Sequence, residues 1–326
     1  MSREPVGVIL LNMGGPDTLA DVEPFLFELF SDRRIIRLSP FPFLQKFIAR
    51  RISRKRAPKS CEAYKLIGGG SPQKRLTAEQ CAALAEALAG DGDFPVKMAM
   101  RYWTPKADET LREFADMGVR RLVALSLYPH YSKATGGSSL YDLRRAIADS
   151  DHPFELAEVA SWSCEPRYVD CLVEDIKAGL ADLPGDEKTL VVYSAHSLPV
   201  KFIEEGDPYL DQIKETIAAV EAKTGVAGRL CFQSRSGPVR WLTPSTPDML
   251  QSLAAEGARD LLVVPISFVS DHVETLYEID ILYREQAEAL GMKLHRTPGL
   301  NARPAFVAAL RELVLAVCRT RNWLSD

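Results

Sequence analysis

The sequence predicts an α/β protein with two Rossmann-like lobes, each a parallel sheet flanked by helices. Two observations carry this prediction. Apolar runs of strand length alternate with longer segments of helical period, and the first half of the chain resembles the second. Strands that alternate with helices form βαβ units with parallel strands. Residues that bind ligands then follow the carboxyl ends of the strands.

The predicted strands are short runs of β-branched and aliphatic residues, which are typical of buried strands. They are Val6–Asn12, Val96–Tyr102, Leu122–Leu127, Leu190–Ser194, Leu230–Gln233 and Leu261–Phe268. The segments between them carry apolar residues at helical spacing. The predicted helices are Leu76–Ala89, Asp108–Met117, Glu165–Ala181, Pro208–Thr224 and Thr246–Glu256. In a last helix, Arg303–Leu324, apolar residues such as Leu310 and Val314 fall along one side.

The two halves share a strand followed by a turn that ends in proline. GVILLNMGGP at 7–16 resembles LVVYSAHSLP at 190–199, which puts Met13 opposite His196. The similarity predicts two related lobes with a ligand cleft between them, and convergent strand–turn patterning is the alternative. Polar residues and Pro153 interrupt the pattern near mid-chain. The expected parts are an N-terminal lobe over 1–155, a C-terminal lobe over 156–302 and a C-terminal helix over 303–326.

Composition excludes several classes of protein. The 326 residues are 46% hydrophobic and 26% charged, with a net charge of −4, which is ordinary for a globular protein. No apolar run is long enough to span a bilayer, and the first residues lack a secretory signal, so we expect a cytoplasmic protein. The six cysteines contain no CxxC pair, which favours buried thiols in a reducing compartment. An iron–sulfur cluster assembled through the fold is the alternative.

A basic and apolar segment stands out at residues 31–60. It holds ten Lys and Arg but one acid, Asp32, so its local balance is +9 and the rest of the chain is acidic. Interleaved apolar residues include Phe41, Phe43 and Phe47. This pattern suits a lip that meets anionic lipid and an apolar ligand, or equally an amphipathic helix with a solvated cationic face. The acidic remainder disfavours nucleic-acid binding.

Two places carry side chains suited to acid–base or metal chemistry. His196 follows an apolar strand in YSAHSLP, where it is either functional or held by turn hydrogen bonds. In SDHVETLYEID, Asp271 and Glu274 fit a capping box, and Glu278 follows on the same helix face. With His272 these carboxylates could relay protons or handle a divalent metal. The alternative is a capped helix with a solvated acidic stripe.

Other motifs point to the kind of ligand. The loop at 68–72, GGGSP, lacks the lysine and spacing of a P-loop, and GxGxxG is absent, so nucleotide binding is poorly supported. Aromatic residues lie near arginines in Arg101–Trp103 and at 233–242. This combination suits a flat, anionic, aromatic ligand, and core packing with a snorkelling arginine is the competing account.

Six motifs occur in the order in which the ferrochelatase family carries them. They are LNMGGP, IGGGSP, YPHYS with the following GSSL, SAHSLP, QSxxGPxxWL and SDHVETLYEID, from residue 11 to about 280. The chain therefore resembles ferrochelatases, which insert ferrous iron into a porphyrin to make haem. The resemblance implies a chelatase-like fold of two Rossmann-like lobes around a porphyrin cleft, which agrees with the internal similarity.

The resemblance also implies roles for particular residues. His196 and Glu274 match the family's essential, catalytic histidine and glutamate, and both are expected to serve the metal. His272 and Glu278 are expected on the proton or metal path. The residues expected to bind porphyrin are Met13, Arg56, Tyr64, Ser71, Arg101, Tyr102, Tyr128 and Trp241.

Two departures from the family pattern bear on these expectations. Leu282 stands where some relatives continue the acidic helix face, which puts the path beyond Glu278 in question. The chain stops at Asp326 without the cysteine-bearing tail that holds a [2Fe–2S] cluster in animal enzymes. We therefore expect no such cluster and no permanently bound cofactor.

The expected reaction is insertion of Fe²⁺ into protoporphyrin IX with release of two protons, the terminal step of haem biosynthesis. Nitrogen and oxygen ligands also suit Zn²⁺ or Co²⁺, so the site fixes the metal weakly. One alternative is a coproporphyrin ferrochelatase, and the apolar lip favours protoporphyrin over it. The other is a porphyrin or haem carrier without catalysis. The expected partners are the porphyrin, Fe²⁺ and, peripherally, the inner face of an anionic membrane.

Overall fold

A computed structural model describes residues 4–186 and 188–324, and the chain divides into two compact units. The first unit combines residues 1–162 with 301–326, and the second spans 163–300. Each unit is built around its own four-stranded parallel sheet. The predicted α/β class with parallel sheets and flanking helices is therefore confirmed.

The sheet of the first unit has the strand order β2-β1-β3-β4. Its strands are β1 (Val6–Asn12), β2 (Val96–Met100), β3 (Arg121–Ser126) and β4 (Glu155–Val159). The helices of this unit are α1 (Val22–Ser31), α2 (Gln45–Leu66), α3 (Gln73–Leu88), α4 (Ala107–Asp116), α5 (Gly136–Ala148) and, from the end of the chain, α11 (Pro304–Thr320). All seven residues of β1 are buried, because the strand is interior and has neighbours on both sides.

The sheet of the second unit repeats this arrangement in the order β6-β5-β7-β8. Its strands are β5 (Thr189–His196), β6 (Gly228–Gln233), β7 (Asp260–Pro265) and β8 (Lys293–Arg296). Its α-helices are α6 (Pro166–Ala181), α7 (Val200–Glu204), α8 (Tyr209–Thr224), α9 (Thr246–Ala255) and α10 (Arg284–Ala289). A π-helix, Glu274–Tyr283, leads into α10.

Local chemistry explains where several helices begin and end. Oγ of Ser245 accepts a hydrogen bond from the amide of Asp248, and the Asp248 carboxylate accepts one from the amide of Ser245. This capping box starts α9. At the start of α6, Glu165 accepts the amide of Tyr168. Helix α8 ends at Gly225, whose φ of +70° is readily adopted by glycine.

The predicted strands and helices are present, and the structure adds two strands. Both β4 and β8 are short edge strands with charged residues, ELAEV and KLHR, so they carry little apolar signal. The basic segment 31–60 contains the end of α1 and much of α2, joined by a stretch with a short 3₁₀ turn, Pro42–Leu44. The helical part of this segment agrees with the amphipathic-helix alternative. Phe41, Phe43 and Phe47 are 58–77% exposed, which is what the apolar lip of the other alternative requires.

The limits of the units differ from the expected ones. The expected boundary at 155 falls on the first residue of β4, which pairs with β3 and so belongs to the first sheet. The last helix, α11, also belongs to the first unit, where Phe306 packs 5.9 Å from Trp162 between ring centroids. The sequence shows only that this helix follows the second lobe along the chain, and not which lobe it packs against. Within the described ranges, no helix is long and apolar enough to cross a bilayer.

Candidate active site

His196 is the last residue of β5, an interior strand of the second sheet. Its amide donates to Oγ of Ser267 at 3.0 Å, and its carbonyl accepts the Tyr209 hydroxyl at 2.9 Å. The backbone is therefore fixed from two sides. Because β5 ends here, the imidazole projects from the carboxyl end of a parallel strand, where α/β proteins place their functional groups.

The imidazole is paired with a carboxylate. Nδ1 of His196 lies 2.8 Å from Oε2 of Glu274, while the two side chains are 34% and 18% exposed. Burial lowers the pKa of His196, but the charge and hydrogen bond of Glu274 outweigh it, so the pKa lies above its ordinary value. Burial opposes ionisation of Glu274, yet the charge of His196 holds its pKa well below the usual range. The Glu274 carboxylate therefore stabilises the imidazolium that forms when His196 takes up a proton.

Glu274 opens the π-helix Glu274–Tyr283, in which wider turns replace the usual α-helical ones. The expected capping box between Asp271 and Glu274 is wrong. Oδ1 of Asp271 accepts the Thr275 hydroxyl instead, and Glu274 turns to His196. The predicted sharing of one face by Glu274 and Glu278 is confirmed, because both carboxylates reach the same hydroxyl, that of Ser234.

Gln233, at the end of β6, and Ser234, just after it, complete this cluster. Oγ of Ser234 lies 2.7 Å from Oε2 of Glu274 and 2.5 Å from Oε2 of Glu278. Nε2 of Gln233 donates to Glu278 Oε2 and to the Glu274 carbonyl, both at 3.0 Å. Oε1 of Gln233 accepts the Ser194 hydroxyl at 2.7 Å, which fixes the amide orientation. The sequence draws attention to the arginines and aromatic residues of the segment 233–242. In the structure, the Gln233 amide and the Ser234 hydroxyl of this segment contact the two glutamates.

The contacts of Ser234 define the protonation of the cluster. A hydroxyl carries one hydrogen and can donate to only one of the two carboxylates. Both short contacts are satisfied when Glu278 is protonated and donates to Ser234. Burial and then the charge of Glu274 raise the pKa of Glu278 to about 7, in agreement with this arrangement.

His272 lies beside the pair without bonding to it. Its Nδ1 contacts the Ser270 carbonyl at 3.0 Å, and its Nε2 is 3.9 Å from Oε1 of Glu274. Burial lowers the pKa of His272, and the charge of Glu274 only partly offsets that effect. The ring of His272 therefore favours its neutral form, beside a carboxylate whose hydrogen-bond partner is His196.

Trp241, also in the second unit, is half-buried. Its Nε1 reaches the Gly237 carbonyl at 3.4 Å, and its backbone forms a bridge with Pro199, three residues after His196. The tryptophan is thus tied to the loop that follows β5, and its porphyrin-binding role stays a prediction.

In the first unit, Met13 and Ser71 lie on two loops that pack together. Met13 follows β1, and its amide donates to the side chain of Asn12 at 2.8 Å. The amide of Ser71 donates to the Pro16 carbonyl at 2.7 Å. A side chain at Gly70 would lie 2.1 Å from the Asp17 carbonyl, so the glycine there is needed for close packing.

Arg101 and Tyr102 bind an acidic residue of their own unit. Nη2 of Arg101 lies 2.6 Å and the Tyr102 hydroxyl 2.8 Å from Oδ2 of Asp32, which also accepts the Ser138 hydroxyl. Tyr102 is 2% exposed, and Arg101 contacts Asp142 as well. Their polar groups are engaged inside the first unit, as the packing alternative anticipated. Their binding of porphyrin stays a prediction.

The remaining expected porphyrin residues differ in exposure. Arg56 is exposed on α2, with its guanidinium 5.5 Å from the centroid of Phe30. Tyr64, on the same helix, is buried. Tyr128 is half-buried just after β3, and its amide donates to Oγ of Ser126 at 3.3 Å. Of these three, Arg56 is therefore the one with an exposed cation.

The donor atoms near His196 are nitrogen and oxygen, which suit Fe²⁺ and also Zn²⁺ or Co²⁺. In the part of the chain that the structure describes, no group of three or more His, Cys, Asp or Glu side chains is arranged to hold a metal ion. His196 and Glu274 instead face each other across a hydrogen bond. A metal at Nδ1 of His196 or at Oε2 of Glu274 would compete with that bond, whereas Nε2 of His196 takes no part in it.

The fold is that of the chelatases. The solved structure "SirB from Bacillus subtilis with Fe3+" matches with a TM-score of 0.58 at 10% identity, covering 99% of this chain and 100% of SirB. The sirohydrochlorin chelatase SirB from Bacillus subtilis subspecies spizizenii, in complex with cobalt, also gives 0.58 at 10% identity, with 98% and 97% coverage. At such identity the likeness concerns the fold alone.

Sequence comparison narrows the class further. The model of the family Ferrochelatase matches residues 5–317. A ferrochelatase of Desulfotalea psychrophila is 56% identical over 315 residues, covering 97% of this chain and 98% of the relative. One of Geotalea uraniireducens is 50% identical over 313 residues, with 95% and 97% coverage. The chain belongs to the ferrochelatase family and is a metal chelatase.

Proposed function

We propose that this chain inserts Fe²⁺ into protoporphyrin IX to form protohaem, releasing two protons, as the terminal step of haem biosynthesis. The observation that carries the proposal is the His196–Glu274 pair at the end of β5, in a chain of the ferrochelatase family. Metallation requires a base that removes pyrrole protons and ligands that receive a divalent cation. An imidazole held by a carboxylate supplies both chemistries.

His196 is the proposed base. Its Nδ1 faces Glu274, and its side chain keeps about one third of its surface exposed, so Nε2 is the nitrogen that can meet a substrate. A proton taken up at Nε2 produces an imidazolium, which the Glu274 carboxylate stabilises at 2.8 Å. General-base catalysis of this kind contributes about 10²–10⁴ in rate.

Glu274 and Glu278 are the proposed route for protons or iron. Oε2 of each lies within hydrogen-bond distance of the Ser234 hydroxyl, so the two carboxyl groups are linked through one side chain. His272 lies beside this route at 3.9 Å from Glu274. Leu282 follows on the π-helix and offers no carboxylate, so the route within these residues ends at Glu278.

Zinc insertion into protoporphyrin tests catalysis against the alternative of a porphyrin or haem carrier. The measurement is the change in porphyrin absorbance after Zn²⁺ is added to catalytic amounts of protein. Multiple turnovers support the enzyme. Stoichiometric binding of porphyrin without turnover would contradict it and favour the carrier.

The porphyrin substrate is proposed to be protoporphyrin, because Phe41, Phe43 and Phe47 expose a large apolar surface. The competing substrate, coproporphyrin, carries four carboxylates and gains less from apolar contacts. Steady-state kcat/KM with each porphyrin decides between them. A higher value for coproporphyrin would overturn this choice of substrate while leaving the chelatase activity intact.

We further propose that the same phenylalanines bind peripherally to the anionic inner face of a membrane. The rings of Phe41 and Phe43 lie 5.8 Å apart, and exposed cations such as Arg51 and Lys55 follow along α2. Apolar insertion and attraction to anionic lipid then act together.

Flotation with phosphatidylglycerol-containing vesicles tests this membrane contact. The double variant Phe43→Ser/Phe47→Ser is expected to float less than the unmodified chain. Met117→Ser removes an exposed apolar residue of α4's end and serves as the matched control. Equal flotation of all three proteins, or no preference for anionic over neutral vesicles, would contradict the proposal.

No permanently bound cofactor is proposed, and Fe²⁺ is written as a substrate. The six cysteines are unbridged, and four of them are buried. Analysis of the purified protein for iron and acid-labile sulfide tests this proposal. Stoichiometric sulfide would show a bound cluster.

A further inference from the structure

Arg296, at the end of the edge strand β8, binds the segment that carries the site carboxylates at two points. Nη1 donates to Oδ1 of Asp271 at 3.0 Å. Nε and Nη2 donate to the two carboxylate oxygens of Asp280 at 2.9 and 2.8 Å. Asp271 precedes the π-helix and Asp280 lies within it, so one guanidinium joins both.

We infer that Arg296 is a positioning residue for the proposed reaction, because it fixes the segment between Asp271 and Asp280 on which Glu274 and Glu278 stand. This inference rests on the proposed function. Arg296 touches neither glutamate among the contacts described above, so it acts through the backbone. A planar guanidinium that forks onto one carboxylate and reaches a second fixes direction as well as distance, which an ammonium cannot do.

The surroundings of the guanidinium make this connection rigid. The Arg296 side chain is only 10% exposed, and Nη1 also donates to the Thr297 carbonyl at 3.2 Å. Arg296 pairs in register with Val263 of β7, so its backbone belongs to the sheet. The π-helix is thereby connected to the sheet through a mostly buried, charge-assisted contact, which solvent screens little.

Asp271 is confined from the other sides. Its Oδ1 also accepts the Thr275 hydroxyl at 3.0 Å, which connects it to the first turn of the π-helix. A Cβ added at Gly299 would lie 2.8 Å from Oδ2 of Asp271. The backbone of residue 299 therefore approaches the carboxylate so closely that only glycine leaves it in place beside Arg296.

A wide-turn helix gains from such a connection. π-helical turns are rare because they are less favourable than α-helical ones, and they occur mainly where a function needs them. Here the turn lets Glu274 face His196 while Glu278 reaches Ser234. Displacement of reacting groups by about 1 Å can cost about 10²-fold in rate, so a connection that holds this helix matters for turnover.

The test combines hydrogen exchange with zinc insertion, on the full chain. Arg296→Met is expected to raise amide exchange in residues 274–283 and to lower kcat by about 10- to 100-fold with little change in KM for protoporphyrin. Arg296→Lys is expected to recover melting temperature but not kcat, because an ammonium cannot fork to Asp280 and reach Asp271. Gly299→Ala should lower kcat without removing any charge.

Arg311→Met is the matched control. Arg311 makes a comparable fork to Asp91 at 2.7 and 2.8 Å in the first unit. Its loss should lower melting temperature without raising exchange in 274–283. If Arg296→Met does not fold, Gly299→Ala carries the test alone. The inference is overturned if Arg296→Lys restores kcat. It is also overturned if amide exchange in residues 274–283 stays unchanged in Arg296→Met or, where that variant does not fold, in Gly299→Ala. Absence of zinc turnover by the unmodified chain would contradict the proposed function, while the exchange data would still judge the positioning.

Discussion

Nδ1 of His196 and Oε2 of Glu274 lie 2.8 Å apart, although 77 residues separate them in the chain. One stands at the end of β5 and the other at the start of the π-helix. Burial opposes charge on both groups, whereas their mutual attraction favours it, so the protonation of each group depends on the other.

Replacing His196 with alanine should abolish the base while leaving the apolar contacts to porphyrin. We expect zinc insertion to fall by about 10²–10⁴-fold. Quenching of tryptophan fluorescence by protoporphyrin should persist at similar porphyrin concentrations. His295→Ala alters a histidine of the edge strand β8 that contacts Asp260 and is separated from β5 by β7, and it should leave turnover unchanged. Retained turnover in His196→Ala would rule out the proposed role.

Replacing Glu274 with glutamine keeps the size of the side chain and removes its charge. The imidazolium of His196 then loses its counter-charge, so we expect kcat to fall by about 10²-fold or more. Porphyrin affinity should change little, because the carboxylate acts on the base. Steady-state zinc insertion and porphyrin titration separate the two quantities. Equal losses in kcat and in affinity would indicate a structural glutamate instead.

Glu278 should make the stability of the protein depend on pH. Its pKa is about 7 in the folded chain, against about 4.3 for an ordinary glutamate in the unfolded chain. The folded state therefore holds a proton that the unfolded state releases, and a penalty develops as pH rises from about 4.3 to about 7. Above about 7 the penalty is constant.

Glu278→Gln removes this penalty. The variant should melt at a higher temperature than the unmodified chain at pH 8, by an amount corresponding to about 1–3 kcal/mol. The difference should shrink as pH falls below 7 and disappear near pH 4. Glu285→Gln, at an exposed position of α10, is the control and should show no such trend. Scanning calorimetry across this pH range measures it, and a pH-independent difference would speak against a raised pKa.

Gly70 should be intolerant of any side chain. A Cβ there would lie 2.1 Å from the carbonyl oxygen of Asp17, which is far inside van der Waals contact and cannot be relieved by rotating a side chain. Gly70→Ala is expected to destabilise the first unit by about 1–3 kcal/mol. Gly90→Ala, where nothing lies within 4 Å of the added carbon, is the matched control. Urea unfolding compares the two, and equal midpoints would contradict the packing argument.

Much of the fold follows from the apolar runs, because interior parallel strands must be buried on both faces. β1 and β7 are such strands, and both were predicted. β8, with the sequence KLHR, was not, because a short edge strand needs little burial and leaves a weak pattern. Its Arg296 was overlooked for the same reason.

The candidate site could be predicted in part. His196 stands out as a polar residue at the end of an apolar strand, and Glu274 as an acidic residue at the start of a predicted helix. The structure pairs them. The partners of Glu278 could not be assigned, because Gln233 and Ser234 reach it from another strand. Ser234 adopts a φ of +66°, which is uncommon for a residue other than glycine. The sequence gives no sign of this conformation apart from the glycine and serines that follow β6.

Because helix α11 of the first unit follows the second unit in the chain, the first unit cannot be completed until the second has been synthesised. A ribosome finishes residues 163–300 before it releases α11, whose Leu310 and Val314 are fully buried against earlier-made parts. Until then the nascent first unit presents uncovered apolar surface, a hazard that chaperones counter. A stop codon just before α11 would therefore destabilise the first unit, which is translated first, and leave the second unit complete.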